Sequence, residues 1–190
     1  MNNRVVKFLD KYHIITDRQF GFRKGVSCSD AIADLLDHVY TAIDNRKFVA
    51  SMFIDLKKAY DTVNHKILLD KMEVYGIRGP VLRWFESYLS GRSQRVLIGS
   101  SFSSIQQITI GIPQGSVLGG LLFSIYINDL PGISDVLHCV LFADDTCVTL
   151  AENDYNTLIN KFNTELEKIT SWLACNRLSL NVTKTVAINF

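Results

Sequence analysis

Apolar residues recur along this chain with two different spacings. Ile32, Leu35, Leu36, Val39, Tyr40 and Ile43 follow the three-to-four-residue repeat of one helical face, with Ser29 placed to cap it ahead of Asp30. The same repeat in Leu158, Phe162, Leu166, Ile169 and Leu173 predicts a longer amphipathic helix. Positions 4–12 suit a short helix, followed by a basic and aromatic loop, "QFGFRKGVS". Asn64 is placed to cap a helix carrying Ile67, Leu68, Met72 and Tyr75, while Pro80 and Gly91 bracket one with Leu82, Trp84, Phe85 and Leu89. "FVASMFIDL" reads as a strand ending at a carboxylate, and "QRVLIGSSFSSIQQITI" as a hairpin turning at 99–101. After "GIPQGS" a buried helix is expected to about Asp129. Next, "VLFADDTCVTL" reads as two strands joined by a tight turn, and "TVAINF" closes the pattern as a strand. This order predicts an α+β architecture, an antiparallel sheet with helices packed on one face and its other face open to a ligand.

Composition narrows the class. A chain of 190 residues that is 47% hydrophobic can bury a core and is not a disordered segment. Its formal net charge of +1 gives no global attraction to polyanions, but the charges are segregated. Residues 1–25 hold six basic and two acidic side chains, 66–95 hold six and three, and 129–167 hold one and eight. Cys28, Cys139, Cys147 and Cys175 lack the paired spacing of a zinc site and read as reduced, intracellular thiols. No charged residue occurs in 96–128, yet its densest apolar piece, "VLGGLLFSIYI", falls well short of the ~20 residues of a membrane span.

The candidate chemistry centres on "ADD". Successive strand residues face opposite ways, so a turn is needed to present Asp144 with Asp145 beside it. Asp55, ending the earlier strand, is the natural partner. Two carboxylates ~4 Å apart repel by ~4 kcal/mol at an effective dielectric near 20, so convergence implies a counterion or a shared proton. Magnesium suits hard oxygen ligands, and two ions ~3.5–4 Å apart can activate a hydroxyl and stabilise a leaving pyrophosphate. An isolated Asp pair is more often a solvated turn; the combination of blocks gives it meaning.

"SMFIDLKKAYDTVNH", "GIPQGSVLGGLLFSIYINDLP" and "VLFADDT", in that order, resemble the central motifs of reverse transcriptases. "QFGFRKGVSCSDAI" and "WLACNRLSLNVTKT" narrow the resemblance to non-LTR, LINE-like retrotransposons. The resemblance implies a right-hand polymerase, with 1–47 as a partial fingers region and 48–190 as palm. Within the palm, 64–110 forms a helix and hairpin section bordering the fingers, and the thumb is absent. It implies an RNA-directed DNA polymerase core that adds dNTPs to a DNA primer on an RNA template. Two Mg2+ ions, with Mn2+ as the alternative, would be held by Asp55, Asp144, Asp145 and the Leu56 carbonyl.

Tyr60 would lie under the incoming sugar and exclude a 2′-hydroxyl, Gln114 and Gly115 would meet the nucleotide, and Lys58 and Ala59 would offer amides to its triphosphate. Lys184 would protonate the leaving pyrophosphate. Gln19, Phe20, Gly21, Phe22, Arg23 and Lys24 would touch the template. No membrane is expected, and action is intracellular, in the nucleus during integration.

The chain departs from the family pattern in lacking an "RPI"-like segment before Met1 and in having Gly120 where Pro is common and "VSC" after "RKG". It is therefore expected to be the core of a larger polymerase, whose parent supplies thumb and N-terminal fingers, with little processive activity alone. The alternatives are a truncated, non-catalytic retroelement remnant that binds nucleic acid or a protein partner, and a palm-like nucleotidyl cyclase. The template block and "PQG" count against the latter.

Overall fold

The computed structural model describes residues 1–190. Helices α1 (Asn2–Lys11) and α2 (Cys28–Asp44) precede strand β1 (Phe48–Ile54). Helices α3 (Ala59–Thr62), α4 (His65–Val74) and α5 (Gly79–Leu89) lead into β2 (Arg92–Gln94), β3 (Leu97–Ile98), β4 (Ser101–Phe102) and β5 (Gln106–Ile108). Then come α6 (Gly119–Ile127), a 3-10 turn (Leu130–Ile133), β6 (His138–Phe142), β7 (Asp145–Glu152), α7 (Tyr155–Cys175) and β8 (Val186–Asn189). The main sheet is antiparallel in the order β6-β7-β1-β8, while β2 pairs with β5 and β3 with β4 as the expected hairpin.

Local chemistry sets most boundaries. The Asn64 side chain accepts from the Ile67 N–H at 3.1 Å and starts α4, as expected. For α2 the cap is Ser27, not Ser29. Its hydroxyl accepts from the Asp30 N–H at 3.3 Å while the Asp30 carboxylate accepts from the Ser27 N–H at 2.7 Å, a reciprocal box that Ser29 cannot form with its immediate neighbour. The uniformly apolar α6 is buried on nearly every side, as a helix without a polar face must be. Within it, Tyr126 donates its hydroxyl proton to the Asn176 carbonyl at 2.6 Å and accepts from the Asn64 N–H at 3.3 Å, tying α6 to the ends of α4 and α7.

Strand alternation then separates two faces. Ala50, Leu150, Val148 and Leu141 join Leu158, Phe162 and Ile169 of α7 in the main core, so α4, α6 and α7 share one face as predicted. The opposite face is not open. Val49 packs with Val39 and Ala42 of α2, and Val140 and Cys147 pack with Ala31, so α2 covers much of it. The ligand-sized space lies instead at the ends of β1 and the β6–β7 hairpin, where main chain from four segments meets.

Candidate active site

Strand β1 stops one residue before Asp55, and the chain crosses to residues 179–185. The Asn181 N–H donates to the Asp55 carbonyl at 2.8 Å, the Lys57 N–H donates to the Ser179 carbonyl at 2.8 Å, and the Asp55 N–H donates to the Thr185 hydroxyl at 3.3 Å. These bonds fix the backbone under the carboxylate. One carboxylate oxygen accepts from the Asn181 side-chain amide at 3.1 Å and the other lies 4.0 Å from the Lys184 ammonium. Lys184 therefore sits beside Asp55 at the cavity. Asn181 was not anticipated; only its place in "NRLSLNVTKT" hinted at it, since its contact with Asp55 spans 126 positions.

The second acidic element is the β6–β7 reversal. Phe142 pairs with Asp145, leaving Ala143 and Asp144 as a two-residue loop. Ala143 has φ of 58°, the left-handed conformation that costs a residue with a Cβ ~1–2 kcal/mol. That loop turns Asp144 into a cavity of about 950 Å³ shared with Asp55, Tyr60, Gln114 and Lys184. Asp145 is exposed and lines a different, adjoining apolar groove of about 260 Å³ beneath α2. Burial, then the charges of Asp144 and Asp55, push the Asp145 carboxyl above the ordinary carboxylate range. The expected acidic trio is thus split between two faces of the turn, although the three charges feel one another.

Tyr60 lines the cavity with its ring stacked on Phe123, centroids 4.7 Å apart. Burial, and secondarily the Asp144 charge, push its phenol up to about 12, so it stays neutral. Gln114 also lines the cavity, and its amide donates to the Asp61 carboxylate at 2.7 Å. Gly115 has φ of 73° with nothing near the position of a Cβ, so conformation rather than close approach calls for glycine in the apo arrangement. Leu56, Lys58 and Ala59 complete the floor.

The six residues expected at a template divide sharply. Gln19 is 1% exposed and bonded to backbone, so it presents no surface to a strand. Phe20 packs into the small cluster of Ala31, Val140 and Cys147. Gly21 is buried against the turn, so close that an added Cβ would lie 2.3 Å from the Ala143 nitrogen. Arg23 donates to the Thr16 and Gln19 carbonyls at 3.1 and 3.2 Å and pairs with Asp17, which makes it a brace of its own loop. Phe22 and Lys24 remain exposed. The Phe22 ring lies across Gly120, where an added Cβ would come within 2.5 Å of it, giving the departure at position 120 a physical consequence.

The donor set facing the cavity, two carboxylates and main-chain carbonyl oxygen, fits a hard divalent cation. No three His, Cys, Asp or Glu side chains close on one point, so Asp145 does not share a common centre with the other two as arranged here. No helix is long and apolar enough to cross a membrane.

Against solved structures, the whole arrangement superposes on the right-hand polymerase fold. Apo telomerase from Candida tropicalis, truncated from its C-terminal domain, matches 97% of this chain and 38% of its own with a TM-score of 0.71 at 15% identity. Telomerase from Candida albicans in complex with the TWJ fragment of telomeric RNA gives 0.69 at 15% identity, over 97% of this chain and 34% of that one. Sequence comparison is more specific. The family described as reverse transcriptase (RNA-dependent DNA polymerase) matches residues 1–189, and this chain belongs to that family. The "Probable RNA-directed DNA polymerase from transposon BS" of Drosophila melanogaster is 31% identical over 98% of the chain. The "Probable RNA-directed DNA polymerase from transposon X-element" of the same fly is 29% identical over 98%, and the polymerase of its mobile element jockey is 27% identical over 99%. The chain spans 21% of the length of each of these relatives. The family generally uses divalent metal ions.

Proposed function

We propose that this chain is the catalytic core of a retrotransposon polymerase that adds deoxynucleotides to a DNA primer on an RNA template. The observation that carries the reading is the meeting of Asp55 and Asp144, from strands far apart in sequence, on one cavity that also holds Tyr60 and Gln114. Asp55, Asp144 and Leu56 line one cavity, and we assign the two carboxylates and the Leu56 carbonyl as ligands of two Mg2+ ions; Asp145, which lines the neighbouring groove, would join them only after its side chain turns across the hairpin. When bound, such ions activate the attacking hydroxyl and neutralise charge on the transferred phosphate and the leaving group.

The protein's own groups do the positioning. Asn181 and Thr185 hold Asp55 so that its carboxylate faces the cavity without searching rotamers. The Tyr60 ring, braced by Phe123, fills the space a 2′-hydroxyl would need. Gln114 and the backbone at Gly115, Lys58 and Ala59 contact the nucleotide and its triphosphate. As the primer 3′-oxygen bonds to the α-phosphorus, the bond to the bridging oxygen breaks. Lys184 gives a proton to the departing pyrophosphate, and the primer hydroxyl proton passes to solvent. Phe22 and Lys24 are the template contacts that survive the burial of their neighbours.

The test is single-nucleotide addition to a DNA primer on an RNA template, with Mg2+ and each nucleotide in turn. Asp144→Ala is expected to lower incorporation by on the order of 10²–10³ or more, the scale of removing a key electrostatic group. An Asp135→Ala control should leave it unchanged. Equal incorporation by Asp144→Ala and the parent chain overturns the assignment. Template binding by both with incorporation by neither, even after the flanking segments of the parent polymerase are restored, favours a retained, non-catalytic remnant.

A further inference from the structure

We infer that Gln19 is a positioning residue for the Asp144 turn rather than a template contact; the inference rests on the polymerase reading for its catalytic consequence, but not for its geometry. The Gln19 amide oxygen accepts from the Ala143 N–H at 3.2 Å and from the Gly21 N–H at 2.8 Å. An amide oxygen has two lone pairs, so both are committed. The residue is 1% exposed and takes no part in the cavity wall, so nothing on the surface competes for it.

The backbone on either side locks this contact in register. The Phe20 N–H donates to the Leu141 carbonyl and the Leu141 N–H to the Arg18 carbonyl, both at 2.8 Å, forming a parallel bridge along the outer edge of β6. Two residues further on, Gly21 lies against the same peptide, with a would-be Cβ 2.3 Å from the Ala143 nitrogen and 3.0 Å from the Phe142 carbonyl carbon. The segment is itself anchored in the palm. Asn128, after α6, accepts from the Thr16 N–H and donates to the Ile14 carbonyl, both at 2.8 Å.

This arrangement answers a specific difficulty. Ala143 occupies a left-handed conformation that alanine disfavours, and it must do so for Asp144 to face the cavity. A two-residue loop has few bonds of its own to impose that geometry. Gln19 supplies one from outside, on the N–H immediately preceding the carboxylate's residue. Glutamine fits because it brings a neutral acceptor. A glutamate would bury a third negative charge beside Asp144 and Asp145, and an asparagine is one methylene too short to span from the same backbone.

The experiment uses the unmodified chain and Gln19→Met, which keeps length and removes the acceptor. In the unmodified protein, the Ala143 amide should exchange with deuterium at least about 10²-fold more slowly than an open loop amide. Free exchange there removes the hydrogen bond and overturns the proposal, even if the variant fails to fold. In Gln19→Met, Ala143 exchange should rise about tenfold while core amides such as Val148 and Leu150 change little. Mn2+ affinity, read from the free-ion electron paramagnetic resonance signal, should weaken about tenfold, as when a group supporting a metal ligand is lost. Single-nucleotide addition should lose turnover at saturating nucleotide, with KM and duplex affinity within about twofold of the parent. Unchanged Mn2+ binding and Ala143 exchange, with weakened template binding, would restore Gln19 as a template contact. If no nucleotide is added even with the flanking segments of the parent polymerase restored, the polymerase reading fails while exchange and Mn2+ binding still decide the role of Gln19.

Discussion

Strand β6 begins and ends at ionisable groups, and the two ends are built on opposite plans. At its start, the His138 imidazole is desolvated but fully partnered: one ring nitrogen lies 2.7 Å from the Asp34 carboxylate, the other 3.3 Å from the Arg18 guanidinium, and His38 stacks on it at 4.1 Å. At its end, burial first and then the charges of Asp144 and Asp55 raise the Asp145 carboxyl above its ordinary range. The chain's own residues close the first site, whereas at the second three carboxylates are set against one ammonium, Lys184, 4.0 Å from Asp55. On the proposed function, that excess of negative charge is what a cation would neutralise.

The comparison predicts that the excess is measurable without nucleic acid. Millimolar Mg2+ or Mn2+ should raise the thermal midpoint of the parent chain, following binding to the folded state alone. Asp144→Asn should abolish most of that gain and lower incorporation by on the order of 10²–10³. A midpoint gain in the variant equal to that of the parent would mean the acidic end needs no cation, and the contrast between the two ends would fail.

Smaller effects sharpen the picture on the Asp55 side. Tyr60→Ala should relax discrimination against ribonucleotides by about tenfold or more, because the loss opens space where the 2′-hydroxyl would clash; Tyr60→Phe, which keeps the ring, should not. Competition between dNTP and rNTP in one reaction reads this directly, and unchanged selectivity in Tyr60→Ala removes the sugar gate. Asn181→Ala should lower turnover about three- to tenfold, the scale of one half-buried hydrogen bond. If turnover is unaffected, Asp55 is held by its backbone alone.

What could be read beforehand follows a physical line. Elements with local cues were legible: Asn64 announces α4, Pro80 starts α5, and the alternation around "ADD" marks the β6–β7 hairpin. Asp55, Tyr60, Gln114 and Asp144, singled out from three separate sequence blocks each with its own pattern, line one cavity. Periodicity misled at α2. Ile32, Leu36, Tyr40 and Ile43 share the apolar repeat yet remain exposed, while Ala31, Val39 and Ala42 are buried. A repeat reveals that a helix has an apolar side, but the partner decides which flank is covered, and this sheet takes the small residues. Gln19 and Asn181 were invisible or misassigned for a related reason. A polar residue buried for a hydrogen bond carries the same letter as one facing solvent, and both reach partners more than a hundred positions away.

The smallest expected effect tests the other end of β6. Burial, ahead of the nearby positive Arg18, holds the His138 imidazole below its ordinary 6.5 despite Asp34, which acts the other way. His38 is lowered as well, by burial first and then by His138, Arg18 and Lys47, with Asp34 opposing. Both bases therefore prefer to be neutral when folded, and the unfolded chain takes up protons first as pH falls. Their contribution to stability is complete above 6.5 and is lost as pH drops through that value toward the depressed folded values. Thermal melts at about pH 7.5 and about pH 5.5 should show a modest decline in the parent chain. A His38→Gln, His138→Gln double variant, which retains polar side chains but cannot titrate, should flatten that decline whatever its absolute midpoint. An equal slope in parent and variant would assign the acid sensitivity elsewhere, and the imidazole pair could no longer stand as the internally satisfied counterpart of the acidic turn.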